Sequence, residues 1–393
     1  MTFPPCPTFD VSESIPLLIL GASARAAAQS ALRAGFQPLC FDAYADRDLR
    51  EAGPVWAWPA STRQLVEMVA TRPCHAWIFT GGLENRPGLV GRLTRRLPLW
   101  GSHAPVLRSA RDPFTIQRLL READLPALDV CRSEHTPPSD GQWLIKPYRG
   151  SGGRAIALWL GQSSTIPREP YYFQQRAEGQ DISAVYLAKP GQVEWIGSTR
   201  QWSGLTSQAP AHAWHGNLVG EVLADEVRDT LHRIGQVLAA RLGLRGLFGC
   251  DFRLAGTTPW LLEVNPRYTG SVELFEWALR RPLLREHAIA CGFPEAPLPE
   301  ARLTGDPPNP IDRCFAKRIV YATQTGVAEF PDDLPRWTGG FTPAPIADVP
   351  IFGQRLLSGD PICSILVSGS SPTECDLHIQ EWLQRITRWI RPV

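Results

Sequence analysis

Hydrophobic and polar positions in the first hundred residues predict parallel α/β structure. Apolar runs at Pro16–Gly21 and Phe36–Tyr44 have the length of buried strands, and the alanine-rich segment between them is typical of a helix. A helix at Thr62–Thr71 followed by a strand at His75–Thr80 repeats the unit. Because alternating strands and helices pack as a parallel sheet, we expect residues 1–105 to form a Rossmann-like domain.

The turns after the first and third of these strands are polar. Gly21-x-Ser23-x-Arg25 lies where a Rossmann fold binds phosphate, but G-x-G-x-x-G is absent, which disfavours a dinucleotide. A helix N-terminus with Ser and Arg favours an anionic ligand, although a plain strand-to-helix turn explains the segment equally well. Glu84 and Asn85 follow the third strand at its carboxyl end, where such sheets bind ligands, or else they cap the next helix.

A glycine-rich turn between two predicted strands lies near residue 150. The strands are Gln142–Lys146 and Ala155–Trp159, and the turn contains Gly150-Ser-Gly-Gly153. Because no helix follows directly, the turn is not a P-loop, and it suits a flap whose backbone N–H groups close over phosphates. Lys146 can reach the same phosphates as a point charge.

The most informative pattern is a hairpin that carries three oxygen-bearing side chains. Gly249–Leu254 and Trp260–Asn265 read as strands, and the turn-forming residues between them predict an antiparallel pair. Glu263 and Asn265 are two positions apart and share a face, so Asp251 can meet them from the partner strand. Hard oxygen ligands of this kind suit Mg²⁺ shared with nucleotide phosphates, whereas the alternative is a solvated hairpin with ordinary surface acids.

Three other stretches complete the pattern. Tyr171–Ser183 is a polar connector between strands that could pair with an adenine edge, and on its own it is better explained as an ordinary loop. Gly204–Gly216 predicts a loop near the site. Asp225–Leu242 and Pro372–Ile390 are amphipathic, and each is expected to cover a core with its apolar face.

Composition narrows the class of protein without identifying it. A chain of 393 residues exceeds one compact core, and its net charge of +1 gives no reason to expect a nucleic acid or membrane partner. The nine Cys include no C-x-x-C pair, which favours buried reduced thiols. No export signal or membrane span is visible, so we expect a cytoplasmic protein. Lys occurs only at Lys146, Lys189 and Lys317, which makes each of them of interest.

The order and spacing of these features resemble the ATP-grasp superfamily, in particular carboxylate–amine ligases related to biotin carboxylase and the carboxyaminoimidazole ribonucleotide synthetases. Sequence motifs support the resemblance over residues 16–275, and after residue 275 only the general order of predicted elements supports it. An acid followed twelve positions later by Glu-x-Asn matches the family's metal ligands, which implies that Asp251, Glu263 and Asn265 hold Mg²⁺ or Mn²⁺. Asp251 stands where Glu is commoner in the family.

The resemblance implies a fold of three parts and a set of site residues. The parts are a Rossmann-like domain (1–105), an ATP-grasp domain of two α+β subdomains (106–292) and a small β-rich lobe with a terminal helix (293–393). The implied ATP contacts are Arg111, Lys146, Arg149, Gly150, Ser151, Gly152, Gly153, Gln174, Gln175, Glu178 and Asp181. The implied catalytic residues are Lys146 and Arg267, and the candidate substrate contacts are Ser23, Arg25, Glu84, Asn85 and Arg200. Arg111 stands where the family usually carries Lys, which changes the donor geometry.

The resemblance also implies an activity. A carboxylate would attack the γ-phosphate of ATP to give an acyl phosphate, and an amine or thiol would then displace phosphate. The expected partners are small polar carboxylates and amines, with amino acid ligation in cofactor biosynthesis as the specific expectation, and the chain is compatible with a homodimer. Two alternatives stay open: a bicarbonate-using enzyme that forms carboxyphosphate, and a regulatory protein that binds ATP without turnover.

Overall fold

The computed structural model describes residues 15–150, 152–153, 155–163, 166–203, 212–294 and 313–393. The N-terminal part of the chain is a parallel α/β layer. Its strands, which pair in the order β3-β2-β1-β4, are β1 (Ile15–Gly21), β2 (Phe36–Asp42), β3 (Val55–Ala57) and β4 (Ala76–Phe79). Its helices are α1 (Arg25–Arg33), α2 (Arg47–Ala52), α3 (Thr62–Ala70) and α4 (Pro87–Thr94). The parallel pairing confirms the Rossmann-like prediction.

A small antiparallel sheet follows and carries the glycine-rich turn. Two helices lead into it, α5 (Ala104–Ala110) and α6 (Pro113–Glu122). Its strands, in the order β5-β8-β6-β7, are β5 (Val130–Arg132), β6 (Trp143–Pro147), β7 (Ala157–Leu158) and β8 (Tyr171–Gln175). Asp112 begins α6, because its carboxylate accepts hydrogen bonds from the backbone N–H groups of Phe114 and Thr115.

An eight-stranded sheet and a three-stranded sheet make up the rest of the molecule. The remaining strands are β9 (Gln180–Lys189), β10 (Gln192–Ser203), β11 (Trp214–Val219), β12 (Gly246–Ala255), β13 (Thr258–Asn265), β14 (Cys314–Tyr321), β15 (Gly326–Ala328), β16 (Ile346–Ala347), β17 (Arg355–Leu356), β18 (Pro361–Gly369) and β19 (Ile390–Pro392). The remaining helices are α7 (Asp225–Leu242), α8 (Val272–Leu279), α9 (Leu283–Ala290) and α10 (Pro372–Ile386). The large sheet runs β13-β12-β9-β10-β11-β14-β18-β16, and the small one runs β17-β15-β19.

The C-terminal lobe extends the large sheet, because β14 pairs antiparallel with β11 and β18 pairs with β14. Residues on one face of this sheet can therefore reach a common site from both parts of the chain. The mixed architecture with a small β-rich lobe is the fold class that the sequence predicts. In the part of the chain described above, no helix is both long and apolar enough to span a membrane.

Helix α7 packs on the large sheet through an unusually close contact. Its Gly235 lies over the ring of Tyr186 on β9, and a Cβ at Gly235 would stand 2.3 Å from the Cε1 atom of that ring. The Tyr186 ring stacks on Phe248 at 4.9 Å between ring centroids, and its hydroxyl donates to the carbonyl of Leu231 at 2.8 Å. The contact holds β9 and β12, which carry site residues, against one rigid helix.

Two local predictions are wrong. Residues 214–216 of the expected loop belong to β11, while residues 204–211 of that loop lie outside the described residues. The C-terminal helix ends at Ile386 rather than Ile390, because Ile390 pairs with Ala328 as part of β19. The buried face of α10, with Cys375 and Ile379, packs in the core of the C-terminal lobe as expected.

Candidate active site

The predicted metal ligands converge on the hairpin of β12 and β13. Asp251 stands opposite Glu263 in the strand register. The Asn265 amide nitrogen donates to Asp251 Oδ2 at 2.8 Å and lies 3.4 Å from Glu263 Oε1. Gln201 on β10 donates to the other Asp251 oxygen at 2.8 Å. Strand pairing therefore brings two carboxylates and an amide into one cluster.

The two carboxylates of this cluster have pKa values that are driven apart. Burial and the charge of Glu263 raise the pKa of Asp251 to about 7. Burial also opposes ionisation of Glu263, but the positive charges of Arg111 and Lys146 outweigh it and lower the pKa of Glu263 to about 2. One acid is ionised and the other is poised to lose its proton when a cation arrives.

The donor set fits a hard divalent cation. Mg²⁺ prefers carboxylate and amide oxygens, and it would relieve the repulsion between Asp251 and Glu263. Asn265 turns its amide nitrogen toward both acids, so a half-turn of the amide is needed to present its oxygen. Among the described residues, no group of three or more His, Cys, Asp or Glu forms a metal cluster, so a cation here would need the Asn265 amide as its third protein donor.

Arg267 stands beside this cluster and is held in place by an acid of the N-terminal domain. Its Nε donates to Glu84 at 2.9 Å, and one terminal nitrogen donates to Asn265 Oδ1 at 3.1 Å. Glu84 is buried and also accepts from the Gly82 N–H at 2.7 Å. Glu84, expected as a substrate contact, thus positions Arg267. The Arg267 side chain lines the large cavity next to the Asp251–Glu263 cluster.

Arg111 and Asn85 hold the glycine-rich flap. Both donate to the carbonyl of Gly150 at 2.9 Å, and Arg111 also donates to Glu263 at 3.1 Å. The Arg111 Nε and the Asn85 Oδ1 are buried and have no partner within the described part of the chain. An orphaned guanidinium donor beside a flap fits a phosphate oxygen. Asn85, expected as a substrate contact, instead connects the N-terminal domain to the flap.

The flap glycines are required by their backbone geometry. Gly152 and Gly153 have φ values of +63° and +71°, and a Cβ at Gly153 would lie 1.9 Å from the carbonyl oxygen of His212. Arg149 is exposed and does not line the cavity. Ser151 lies outside the described residues.

The expected nucleotide contacts divide into those that line the cavity and those that do not. Lys146 is buried, and its Nζ donates to Gln174 Oε1 at 2.9 Å, with both side chains in the cavity wall. Asp181 lines the wall too and is fixed by Arg253 at 2.9 Å. Glu178 lines the wall but is largely exposed. The Gln175 side chain turns outward and accepts from the Asp129 N–H at 3.2 Å.

The Asp251–Glu263–Asn265 cluster, Arg267, Lys146 and the flap glycines Gly152 and Gly153 border one cavity of about 660 Å³ that continues well past the cluster. Ser23 and Thr80 line it from the N-terminal domain, so Ser23 is where the sequence predicts it. The sequence does not identify the far wall, which includes Trp214, Asn217 and Lys317. The alternation of polar residues on β10 is the signal that could have identified Gln201 and Ser203, which line the cavity from that strand.

Arg25 and Arg200 do not line the cavity, so neither is retained as a substrate contact. Arg25 is fully buried, with ion pairs to Glu273 at 2.5 Å and Asp348 at 3.1 Å. Arg200 pairs with Glu221 at 3.0 Å. Because its strand neighbour Gln201 faces the cavity, Arg200 must face the other side of the sheet.

Residues 110–271 match the sequence model of the ATP-grasp domain family. Three solved structures illustrate the likeness over the whole chain. An L-amino acid ligase from Bacillus licheniformis is 15% identical with a TM-score of 0.68, covering 97% of this chain and 99% of that one. A biotin carboxylase from Campylobacter jejuni in complex with an ATP analogue is 12% identical with a TM-score of 0.69, covering 95% and 91%.

The third structure is a carboxyaminoimidazole ribonucleotide synthase from Aspergillus clavatus complexed with ATP. It is 14% identical with a TM-score of 0.68, covering 96% of this chain and 99% of that one. No curated protein matches the chain by sequence. At these identities the likeness to solved structures shows a shared fold, and the match to the ATP-grasp domain family covers residues 110–271.

Proposed function

We propose that this protein is an ATP-dependent ligase that joins a small polar carboxylate to an amine or thiol through an acyl phosphate. The observation that carries the proposal is the single cavity in which the Asp251–Glu263–Asn265 cluster, Lys146 and the flap meet. The cavity is larger than the space that nucleotide phosphates would fill beside these groups, which leaves room for a second substrate. The solved relatives include an L-amino acid ligase, which agrees with this reaction class.

Several residues are assigned to nucleotide binding. Lys146 and Arg111 neutralise phosphate oxygens, and the flap covers them with backbone N–H groups. We assign Asp181 to the ribose hydroxyls and Gln174 to the adenine, because both line the cavity. When bound at Asp251, Glu263 and Asn265, Mg²⁺ would supply positive charge to the β- and γ-phosphates.

The remaining residues act on the transfer itself. A carboxylate oxygen of the substrate attacks the γ-phosphorus and ADP leaves. An amine then attacks the acyl carbon, and phosphate leaves with that carboxylate oxygen while the amine gives up a proton. Arg267, held by Glu84, offsets negative charge on the phosphoryl group, and the closed flap keeps water from the acyl phosphate.

The test is an assay of ADP release over pairs of carboxylates and amines, with products identified by mass spectrometry. Bicarbonate alone is included, because turnover with it would indicate carboxyphosphate chemistry instead. Glu263→Gln should abolish turnover, while Glu169→Gln, at an exposed acid outside the cavity, should leave it unchanged. Unchanged turnover in Glu263→Gln would refute the assigned metal role, and nucleotide binding without turnover for any pair would favour a regulatory protein.

Two narrower expectations remain proposals of the same kind. The first is amino acid ligation in cofactor biosynthesis, which the mass spectrometric screen addresses directly. The second is a homodimer, which sedimentation velocity of the intact chain would show as a species of twice the 43.5 kDa chain mass.

A further inference from the structure

The wall of the cavity contributed by the C-terminal lobe ends in a buried ammonium group. Lys317 lies on β14 and is 4% exposed, yet it lines the cavity beside Trp214 and Asn217. Its Nζ stands 5.7 Å from the centroid of the Trp214 ring. It is one of three lysines in the chain, and no role in nucleotide binding accounts for it.

Two acids behind Lys317 fix the position of its ammonium group. Its Nζ donates to Glu273 Oε1 at 2.6 Å and lies 3.8 Å from Asp348 Oδ2, which is too far for a hydrogen bond. Arg25 binds the same two acids from the other side. Arg25 also lies 3.8 Å from Asp48, and none of these three acids lines the cavity, so Lys317 is the charged member of the cluster that reaches the cavity.

The ammonium group has donors to spare. A lysine ammonium carries three N–H donors, and in the described part of the chain the Nζ of Lys317 makes one hydrogen bond. Burial of this group in a cavity wall is costly unless its donors are satisfied. A ligand with acceptor oxygens would satisfy the remaining two.

The cavity-lining residues beside Lys317, Trp214 and Asn217, are uncharged. The hydroxyl-bearing residues that line the cavity are Ser23, Thr80, Ser183, Ser203, Tyr268, Thr269 and Ser271. The described acids that line the cavity are Glu178, Asp181, Asp251 and Glu263, all assigned above to nucleotide or metal. Within the described residues, the end of the cavity at Lys317 therefore suits a negatively charged group and offers an ammonium no cavity-lining carboxylate beyond those four acids.

Strand order separates Lys317 from the phosphoryl site. Four strand spacings lie between β12 and β14, which at about 4.8 Å each places them roughly 19 Å apart along the sheet. Because β12 carries Asp251, we treat a group bound to Lys317 as separate from the cation and phosphates proposed to bind at the Asp251 cluster.

We propose that Lys317 binds a second, non-reacting anionic group, a carboxylate or a phosphate, of the substrate. The assignment of that ligand as a ligase substrate rests on the function proposed above. The existence of an anion site at Lys317 does not rest on it, because the site is argued from the buried ammonium, its paired acids and the cavity. A substrate without this group would bind poorly for lack of a charge-assisted hydrogen bond.

The scarcity of lysine provides a direct test on the unaltered protein. Protein labelled with [ε-¹³C]lysine gives three side-chain NMR signals, one each for Lys146, Lys189 and Lys317. With the nucleotide site filled by Mg²⁺ and a non-hydrolysable ATP analogue, succinate or inorganic phosphate is titrated at constant ionic strength. The Lys317 signal should shift saturably, while Lys189, which pairs with Glu194 at 2.9 Å, should not move. The neutral analogue succinamide should have no effect.

Substitution gives an independent readout with a matched control. Lys317→Met should weaken succinate or phosphate binding about tenfold or more and leave affinity for the ATP analogue within about twofold. Lys189→Met should change neither. A Lys317 signal that ignores both anions, or moves only in parallel with Lys189, would overturn the proposal even if Lys317→Met failed to fold. If anions bind at Lys317 but no acid–amine pair releases ADP, the ligase function fails and the anion site stands.

Discussion

Arg111 joins Glu263, a proposed metal ligand, to the flap, and its removal should separate nucleotide affinity from cation affinity. Arg111→Met deletes one hydrogen bond to Glu263 and one to the Gly150 carbonyl. Hydrogen bonds to charged groups contribute about 1.5–3 kcal/mol each. Because the Arg111 and Glu263 side chains are 15% and 36% exposed, solvent screening reduces that pair, and we take about 1.5–3 kcal/mol for the total.

This loss should weaken binding of an ATP analogue with Mg²⁺ by about 10- to 100-fold, at roughly 1.4 kcal/mol per factor of ten. Binding of Mn²⁺ without nucleotide should become tighter, since a positive charge no longer occupies Glu263. Asn85→Ala is the matched variant, because it removes only a neutral hydrogen bond to the same carbonyl. It should weaken nucleotide binding about fivefold and leave Mn²⁺ binding unchanged.

Calorimetry gives the nucleotide affinity, and electron paramagnetic resonance of free Mn²⁺ gives the cation affinity. Both variants should be compared with the unaltered protein at one ionic strength and pH. Weaker Mn²⁺ binding by Arg111→Met would contradict the assigned competition between the guanidinium and the cation. Equal nucleotide losses in Arg111→Met and Asn85→Ala would show that the flap contact alone matters.

Three further predictions concern pH and packing. Because the pKa of Asp251 is raised to about 7, a proton competes with the cation for this carboxylate below pH 7. The affinity for Mn²⁺ should therefore fall about tenfold per pH unit below pH 7, and Asp251→Asn should abolish this pH dependence. Burial lowers the pKa of His287 to about 4 from its usual 6.5, so between pH 4 and 6.5 the unfolded chain binds more protons than the folded chain. Denaturant titrations should therefore show the free energy of unfolding falling by up to about 3 kcal/mol as pH drops from 6.5 to 4, and His287→Gln should flatten this slope. Gly235→Ala should lower the free energy of unfolding by about 1–3 kcal/mol through its clash with Tyr186, whereas unchanged stability would mean that α7 can shift.

The chemistry of the β12–β13 hairpin could be predicted because it is local. The two-residue period places Glu263 and Asn265 on one face, and a short turn makes the two strands neighbours. A register shift between Asp251 and Phe252, which the sequence does not predict, then sets Glu263 rather than Leu262 opposite Asp251. Lys146 is likewise fixed by its position at the end of β6 beside the flap. These contacts depend on residues close in sequence or on one strand pair.

The substrate end of the cavity could not be predicted because it depends on pairings between distant parts of the chain. Arg25 looks like an anion ligand in isolation, but its partners Glu273 and Asp348 lie 248 and 323 positions away. Lys317 faces the cavity only because β14 pairs with β11, a join that no local pattern specifies. The side of β10 that Arg200 occupies follows from Gln201 facing Asp251, which also requires the sheet.

Transfer of oxygen from substrate to phosphate tests the central claim most directly. A carboxylate that supports ADP release is labelled with ¹⁸O, and the phosphate formed in a single turnover with its amine partner is analysed by mass spectrometry. If the enzyme forms an acyl phosphate, each phosphate carries one ¹⁸O from the carboxylate. Product formation with unlabelled phosphate would contradict the account.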